Sequence, residues 1–241
     1  MLVRHLSKIV INRAWVHYAP RYGVVLFFFL NFISIICYPG TTLIDPSSKS
    51  YSFIFNFFSD LGRTQTFINS DGLTNNNFFS AVFFNNSLFM CGTIFIFYYL
   101  NVISFFKGSN LYTLSKIGSA FGMIGGVCFI GVGLTPSDFV HDAHIVITDW
   151  AFRFFTLNAF LFSYLIIKSE KISNKFSIGY LLFAFLLFFY VFIVEIGGMP
   201  KKVSMEHLAY KVVWQKVIVL SFIINSFFQS FWDPINNKED N

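Results

Sequence analysis

The sequence predicts an all-α membrane protein in which residues 1–241 form a single bundle of six transmembrane helices. Hydrophobic residues make up 55% of the chain and charged residues only 12%, whereas soluble domains carry charge on about a quarter of their residues. The mean hydropathy is +0.62. The apolar residues form long continuous runs, and no polar stretch between them is long enough for a second domain.

A helix that spans the hydrocarbon core of a bilayer needs about 20 predominantly apolar residues. Six segments of the chain meet this requirement. The fourth is the least typical, because Asp149 and Arg153 lie inside it. The predicted spans are Tyr22–Tyr38, Phe78–Phe106, Leu111–Leu134, Ile145–Ile167, Phe176–Met199 and Tyr210–Trp232.

Residues 1–20 form a basic segment before the first span. No small-residue cleavage pattern follows the first apolar run, so we expect a retained helix rather than a cleaved signal peptide. Leu2, Leu6, Ile9 and Val16 fall near one helical face. This spacing predicts a short interfacial helix on the inner membrane surface. A disordered basic tail is the alternative.

The distribution of basic residues predicts the orientation. Lysines and arginines are concentrated in the N-terminal segment and in the connections at 107–116 and 168–175, which lie on one side of a six-span bundle. The positive-inside rule places that side in the cytoplasm, with Lys201 and Lys202 as exceptions. We therefore predict both termini inside the cell, a location in the cell membrane, and a long external loop at residues 39–77.

Residues 51–62 of this loop, "YSFIFNFFSDLG", are apolar but too short to span a membrane. Their length and the glycine at position 62 predict a re-entrant or interfacial helix. The following stretch "NSDGLTNNN" has the composition of a turn.

The third span carries Gly118, Gly122 and Gly126 at four-residue intervals. Small residues at this spacing let transmembrane helices approach closely. The pattern predicts tight helix packing and offers a face through which the protein would form a homo-oligomer.

Polar and ionisable residues accumulate in the half of the bundle predicted to face outward. Asp138, His141 and His144 lie at the mouth of the third and fourth spans, and Asp149 and Arg153 lie further in, on one helical face. Intramembrane charges usually face the bundle interior or a water-filled cavity. We therefore predict one outward-facing polar pocket formed by Asn85, Asn86, Asp138, His144, Asp149, Arg153, Glu195 and Lys216. A local Asp149–Arg153 pair that serves only helix packing is the alternative.

Three segments carry a family resemblance: "FFSDLG", "NNNFFSAVFFNNSLFMCG" and "GVGLTPSDFVHDAHIVIT". They resemble the membrane family called domain of unknown function 998, and a second, related resemblance is to the Frag1/DRAM/Sfk1 group. The first family has no settled activity, so the resemblance implies a six-helix fold and no function. The family pattern has a single histidine in this region, whereas this sequence has His141 and Asp142 shortly before His144. The last two spans match the family only loosely. The matching positions are Ser59–Gly62, Asn77, Asn85, Asn86, Gly133, Pro136, Asp138 and His144.

These observations favour a multi-pass membrane protein whose outward-facing pocket binds a lipid headgroup or a small polar ligand. Arg153 and Lys216 would contact anionic groups, with Asp149 and Glu195 as counter-charges. The planar donor fork of arginine suits phosphate and carboxylate. Membrane lipids are the expected partners, no cofactor is required, and no nucleic-acid role is expected.

A membrane-embedded metal hydrolase is the first alternative. His141, His144 and His207 would bind zinc, which activates water for hydrolysis. The chain lacks an HExxH motif. Whether the protein is an enzyme is therefore left open.

Two further alternatives involve no hydrolysis. Asp149, Arg153, Glu195 and Lys216 would relay protons in a small proton-coupled transporter, although the sequence contains no visible inverted repeat. In a structural or assembly subunit, the same charges would serve only helix association.

Overall fold

The computed structural model describes residues 14–170, 172–197 and 204–231. These residues contain six α-helices and no β-strand. All six helices are long and apolar enough to cross a membrane, which confirms the all-helical fold class and is compatible with a multi-pass membrane protein. The helices are α1 (Ala14–Cys37), α2 (Phe78–Val102), α3 (Tyr112–Leu134), α4 (His141–Lys168), α5 (Lys175–Gly197) and α6 (Met205–Gln229).

The six helices form a closed ring. Each helix packs against the next in the chain, and α6 returns to α1 through the least extensive of the six contacts. The guanidinium of Arg21, near the start of α1, donates to the carbonyl oxygen of Ser230 at 2.9 Å and to its hydroxyl at 3.0 Å. The start of α1 and the end of α6 therefore lie on one side of the bundle. That this side is cytoplasmic stays a prediction.

Aromatic rings fill part of the space inside the ring of helices. The ring centroid of Phe222 on α6 lies 4.8 Å from that of Phe95 on α2 and 5.0 Å from that of Phe155 on α4. Phe183 on α5 lies 5.1 Å from the same ring. Tilted and edge-to-face pairs of this kind stabilise a core beyond their buried area. Phe222 therefore links α6 to α2, α4 and α5.

Glycines on α3 allow the close approach of its neighbours. A Cβ on Gly126 would lie 2.8 Å from the carbonyl oxygen of Gly92 on α2, and a Cβ on Gly122 would clash with the Tyr99 ring. Gly118 faces α4, where a Cβ would lie 3.2 Å from Phe162. The predicted tight packing is confirmed within the chain. Homo-oligomer formation through this face stays a prediction.

The first helix starts earlier than the predicted Tyr22. The structure describes α1 from Ala14 onward, so the end of the predicted 1–20 interfacial segment belongs to the first membrane-spanning helix. Val16 explains the extension, because its side chain is fully buried in the main hydrophobic core. The predicted interfacial helix over residues 1–13 lies outside the described residues.

The fourth and sixth helices also begin before their predicted starts. The fourth starts at His141 rather than Ile145. The sixth starts at Met205 rather than Tyr210, so His207 lies in its first turn and not in a loop. The Ser204 hydroxyl caps this helix by accepting from the His207 amide at 3.2 Å. The predicted ends Met199 and Trp232 lie outside the described residues.

The connection at residues 39–77 contains less helix than predicted. Only Phe58–Gly62 is helical, as a short 3-10 helix, while residues 53–55 form a turn in the preceding segment. The fully buried Asn56 side chain explains this conformation: its amide donates to the Thr41 carbonyl at 3.1 Å and accepts from the Ser52 amide at 3.0 Å. Side-chain bonds of this kind compete with helical backbone bonding.

Candidate functional site

A cavity of about 100 Å³ lies inside the bundle and is lined almost entirely by apolar side chains. All six helices contribute to its wall. Protein interiors are otherwise close-packed, with few voids larger than a water molecule. Its lining includes Val24 and Phe27 from α1, Leu88 and Phe95 from α2, Phe129 from α3, Ala151 from α4, Leu187 from α5 and Val219 from α6.

The 3-10 helix Phe58–Gly62, which we call the cap, covers one end of this cavity. Phe58 and Ser59 belong to the cavity wall. The amide of Phe58 donates to Oε1 of Gln215 on α6 at 2.8 Å, and Gln215 also lines the cavity. This hydrogen bond thus joins the cap to α6 at one end of the cavity.

A buried polar cluster holds the cap in position. Nζ of Lys216 donates to the Asn56 carbonyl oxygen at 2.6 Å and lies 5.4 Å from the centroids of the Tyr51 and Phe58 rings. The Tyr51 hydroxyl donates to the same carbonyl at 3.2 Å. Nearby, the Asp60 carboxyl group accepts from the Asn56 side chain at 3.2 Å. This cluster joins the loop to α6 through groups far apart in the sequence.

Asp60 is an acidic group in a dry environment. Its side chain is buried, and burial raises its pKa to about 6, although the Asn56 hydrogen bond and the charges of Arg63 and Lys216 act in the opposite direction. The ordinary value is 3.8. The folded protein therefore binds this proton more tightly than the unfolded chain does.

We expect Asp60 to make the protein more stable as the pH falls from 7 to 5. Its ionised form destabilises the fold above about pH 6, and this destabilisation disappears below the unfolded pKa of 3.8. The whole shift of about two pKa units corresponds to on the order of 3 kcal/mol, of which roughly 1.4 kcal/mol is gained between pH 7 and 5. Thermal unfolding in detergent at both pH values, for wild type and Asp60→Asn, measures the effect. Asp71→Asn, in an exposed turn, is the control; equal pH dependence in wild type and Asp60→Asn would contradict the expectation.

His144 lies at the capped end of the cavity. Its side chain is only 4% exposed, and it lines the apolar space. Nδ1 lies 2.7 Å from the Thr135 carbonyl oxygen. A carbonyl oxygen only accepts, so the proton of this hydrogen bond lies on Nδ1. The bond fixes the orientation of the ring against the cavity.

Two other predicted site residues hold the loop that carries the cap. The Asp138 carboxylate accepts from the Thr64 amide at 2.9 Å, from the Thr64 hydroxyl at 2.6 Å and from the Gln65 amide at 2.9 Å. Asn85 donates to the Gly62 carbonyl at 3.2 Å. Asn86 is exposed and donates to Val82 of its own helix at 2.8 Å.

The predicted charged residues of α4, Asp149 and Arg153, lie outside the cavity wall. Asp149 and Arg153 are half-buried, and the Arg153 guanidinium lies 5.0 Å from the Trp150 ring centroid. The Glu195 side chain is outside the described part of the chain. Among the predicted pocket residues whose side chains are described, only His144 lines the cavity. A ligand-binding role for the others stays a prediction.

The three histidines predicted to bind zinc occupy different environments. His141 is exposed at the start of α4, His144 is buried, and His207 is half-buried in the first turn of α6. Among the described residues, no group of three or more His, Cys, Asp or Glu side chains is arranged to hold a metal ion. The zinc site stays a prediction without a ligand set in that part of the chain.

Sequence reasoning missed three residues of the site: Asn56, Asp60 and Gln215. Asn56 and Asp60 lie in an aromatic segment for which the sequence predicts a helix. Gln215 directly precedes Lys216, whose charge inside a predicted span is the stronger sequence signal. The sequence feature that could have indicated them is the presence of two polar side chains, Asn56 and Asp60, four residues apart in an otherwise apolar loop segment.

No family model, no curated protein and no solved structure matches the chain. The two family resemblances therefore rest on the short motifs alone and stay predictions.

Proposed function

We propose that this multi-pass membrane protein binds a lipid and holds part of its hydrocarbon chain in the cavity beneath the cap. The observation that supports the proposal is a void of about 100 Å³ with an apolar wall built by all six helices. An engineered apolar cavity of about 150 Å³ stays dry and binds benzene or xenon. A short stretch of hydrocarbon matches such a space, whereas water finds few hydrogen-bond partners there.

The contact between α1 and α6 is the proposed entry route. It is the least extensive contact in the ring, and both helices contribute to the cavity wall, with Val24 and Phe27 on one side and Val219 and Ile223 on the other. A lipid chain entering there stays in contact with the bilayer. With the predicted orientation, the cap faces outward and the lipid comes from the outer leaflet of the cell membrane.

Zinc-dependent hydrolysis and proton-coupled transport are weaker candidates. Hydrolysis needs a metal site, and no ligand group for one occurs in the described ranges. Proton-coupled transport requires a path for protons and solute, and the lining of the cavity is almost entirely apolar. Measurement of zinc in the purified protein and of flux in liposomes separates both activities from lipid binding.

We expect Val219→Phe to reduce lipid labelling of the cavity several-fold. Val219 lines the cavity on α6, so a larger ring at this position occupies the proposed lipid site. The probes are a phosphatidylglycerol and a diacylglycerol, each with a diazirine in one acyl chain and reconstituted with the protein in nanodiscs, so that the result does not depend on headgroup charge. Mass spectrometry of the cross-linked peptides reports labelling at Leu88 and Phe222, which lie on the wall.

Val217→Phe is the matched control. Val217 lies on the same helix, is 39% exposed and is outside the cavity wall. It should leave the labelling of wall peptides unchanged. Wall peptides that stay unlabelled in wild type, or that are labelled equally in Val219→Phe, would refute lipid binding in this cavity.

A further inference from the structure

We propose that the capped end of the cavity recognises an uncharged hydroxyl group on the lipid, as in a long-chain alcohol or a diacylglycerol. The inference rests on the proposed lipid site and specifies the class of headgroup. Three polar side chains from different parts of the chain meet the apolar space there: Ser59 of the cap, His144 of α4 and Gln215 of α6.

His144 supplies a hydrogen-bond acceptor. Because its Nδ1 donates to the Thr135 carbonyl, a neutral ring presents the lone pair of Nε2. A charged ring at a site 4% exposed would need an anionic partner. Nε2 makes no hydrogen bond to any residue that the structure describes. Because His144 lines the cavity, this acceptor is available to a ligand there.

Gln215 supplies a hydrogen-bond donor. Its Oε1 accepts from the Phe58 amide, which fixes the assignment of the amide oxygen and places the NH₂ group on the other branch. The residue is only 9% exposed, and this NH₂ group has no hydrogen-bond partner within the described ranges. Gln215 lines the cavity, so a ligand oxygen at the cavity end would supply the hydrogen-bond partner that this donor lacks.

Ser59 adds a hydroxyl that both donates and accepts. Its side chain is half-buried and makes no hydrogen bond to another described residue. Together the three side chains offer donors and acceptors but no charge. A hydroxyl group, which donates one hydrogen bond and accepts two, complements this set.

An anionic headgroup fits the same place poorly. The Lys216 ammonium lies outside the cavity wall and donates to the Asn56 carbonyl. The Asp60 carboxyl group also lies outside the cavity wall and accepts from the Asn56 side chain. The Nε2 lone pair of His144 would face a phosphate oxygen, and an acceptor repels an anion that brings no proton, so the uncharged hydroxyl is favoured.

Two photoactivatable probes test the headgroup: hexadecanol and hexadecyl phosphate, each with the same chain diazirine, titrated onto the full-length protein in nanodiscs. We expect half-saturation of wall-peptide labelling at an alcohol concentration about tenfold below that of the phosphate. Competition with oleyl alcohol and with dioleoylglycerol distinguishes a single-chain from a glycerol lipid, and displacement by either one supports the proposal. Stronger displacement by dioleoyl phosphatidic acid would overturn it.

His144→Asn is the first variant, because an asparagine amide still donates to Thr135 while the Nε2 atom is lost. We expect the half-saturation concentration of the alcohol to rise about three- to tenfold, as for one lost hydrogen bond, while that of the phosphate does not rise, because the variant also loses an acceptor that repels it. Ser59→Ala removes a hydroxyl that makes no bond to described residues, and we expect a smaller rise in the same direction. The control is His141→Asn, at an exposed position.

The outcomes separate the two proposals. If both probes label the wall equally, and Val219→Phe reduces both, lipid binding stands and hydroxyl recognition is wrong. The same conclusion follows if alcohol labelling is unaffected in His144→Asn and Ser59→Ala. If neither probe labels the wall, the lipid site itself is wrong.

Discussion

We expect Gly92→Ala to destabilise the protein by about 3 kcal/mol, at the upper end of overpacking effects. A Cβ at this position would clash with the Gly126 carbonyl oxygen and lie 2.7 Å from Cγ1 of Ile130. The first obstacle is backbone, which cannot rotate away. The methyl group therefore forces α2 and α3 apart along their closest contact. Thermal unfolding in detergent measures the effect, with a midpoint expected to fall by roughly 5–10 °C.

Gly131→Ala is the matched control for this substitution. It also adds one methyl group to a helical glycine, but the nearest atom is the Ile147 side-chain carbon Cγ2 at 3.0 Å. A side chain moves more cheaply than a helix backbone, so we expect a loss of less than about 1.5 kcal/mol. Similar destabilisation by both variants would show that the Gly92–Gly126 contact is not the tight point of the bundle.

The six spans were predictable because their signal is local. Each run of about 20 apolar residues is visible without knowledge of its neighbours. The starts of α2, α3 and α5 were also predicted to within one residue, whereas those of α1, α4 and α6 were not, because residues such as Val16 and His144 continue a helix into sequence of mixed polarity. Both side chains are buried by contacts with distant parts of the chain. The choice between helix and loop there depends on tertiary packing.

The candidate site was only partly predictable for the same reason. Charge inside a membrane span draws attention to Lys216, but its main partner is the carbonyl oxygen of Asn56, 160 residues away. Asp138 looked like a ligand-binding acid, yet its carboxylate already accepts three hydrogen bonds from Thr64 and Gln65 within 2.9 Å. Hydropathy does not indicate which polar groups meet each other.

The cavity could not be predicted from the sequence at all. Its wall consists of ordinary span residues, such as Leu88 and Phe222, that also occur in solid cores. Whether such residues leave a void depends on differences of a few ångströms in helix position. The sequence pointed to a polar pocket, whereas the described space is apolar with a polar end.

We expect Asp138→Ala to lower the free energy of local opening of the loop that carries the cap by about 2 kcal/mol. The variant loses three charge-assisted hydrogen bonds, and water replaces only part of them at the partly exposed amides. This free energy corresponds to an increase of about 30-fold in the hydrogen exchange of the Thr64 and Gln65 amides, since 1.4 kcal/mol is tenfold. Exchange measured by mass spectrometry tests it. Asp142→Ala, at an exposed position on α4, is the control.

Lower pH should weaken the stabilisation of the loop by Asp138, whereas it should reduce the destabilisation caused by the buried Asp60. Burial tends to raise the pKa of Asp138, but the hydrogen bonds from Thr64 and Gln65 outweigh it and hold the pKa below 3.8. The stabilisation by Asp138 is thus fully present above pH 3.8 and is lost only below it. Between pH 7 and 5, protonation of Asp60 stabilises the cap while Asp138 keeps its charge. A lower protection of the Thr64 amide at pH 5 than at pH 7, each relative to the unfolded amide at the same pH, would show that Asp138 does not anchor the loop as an ion.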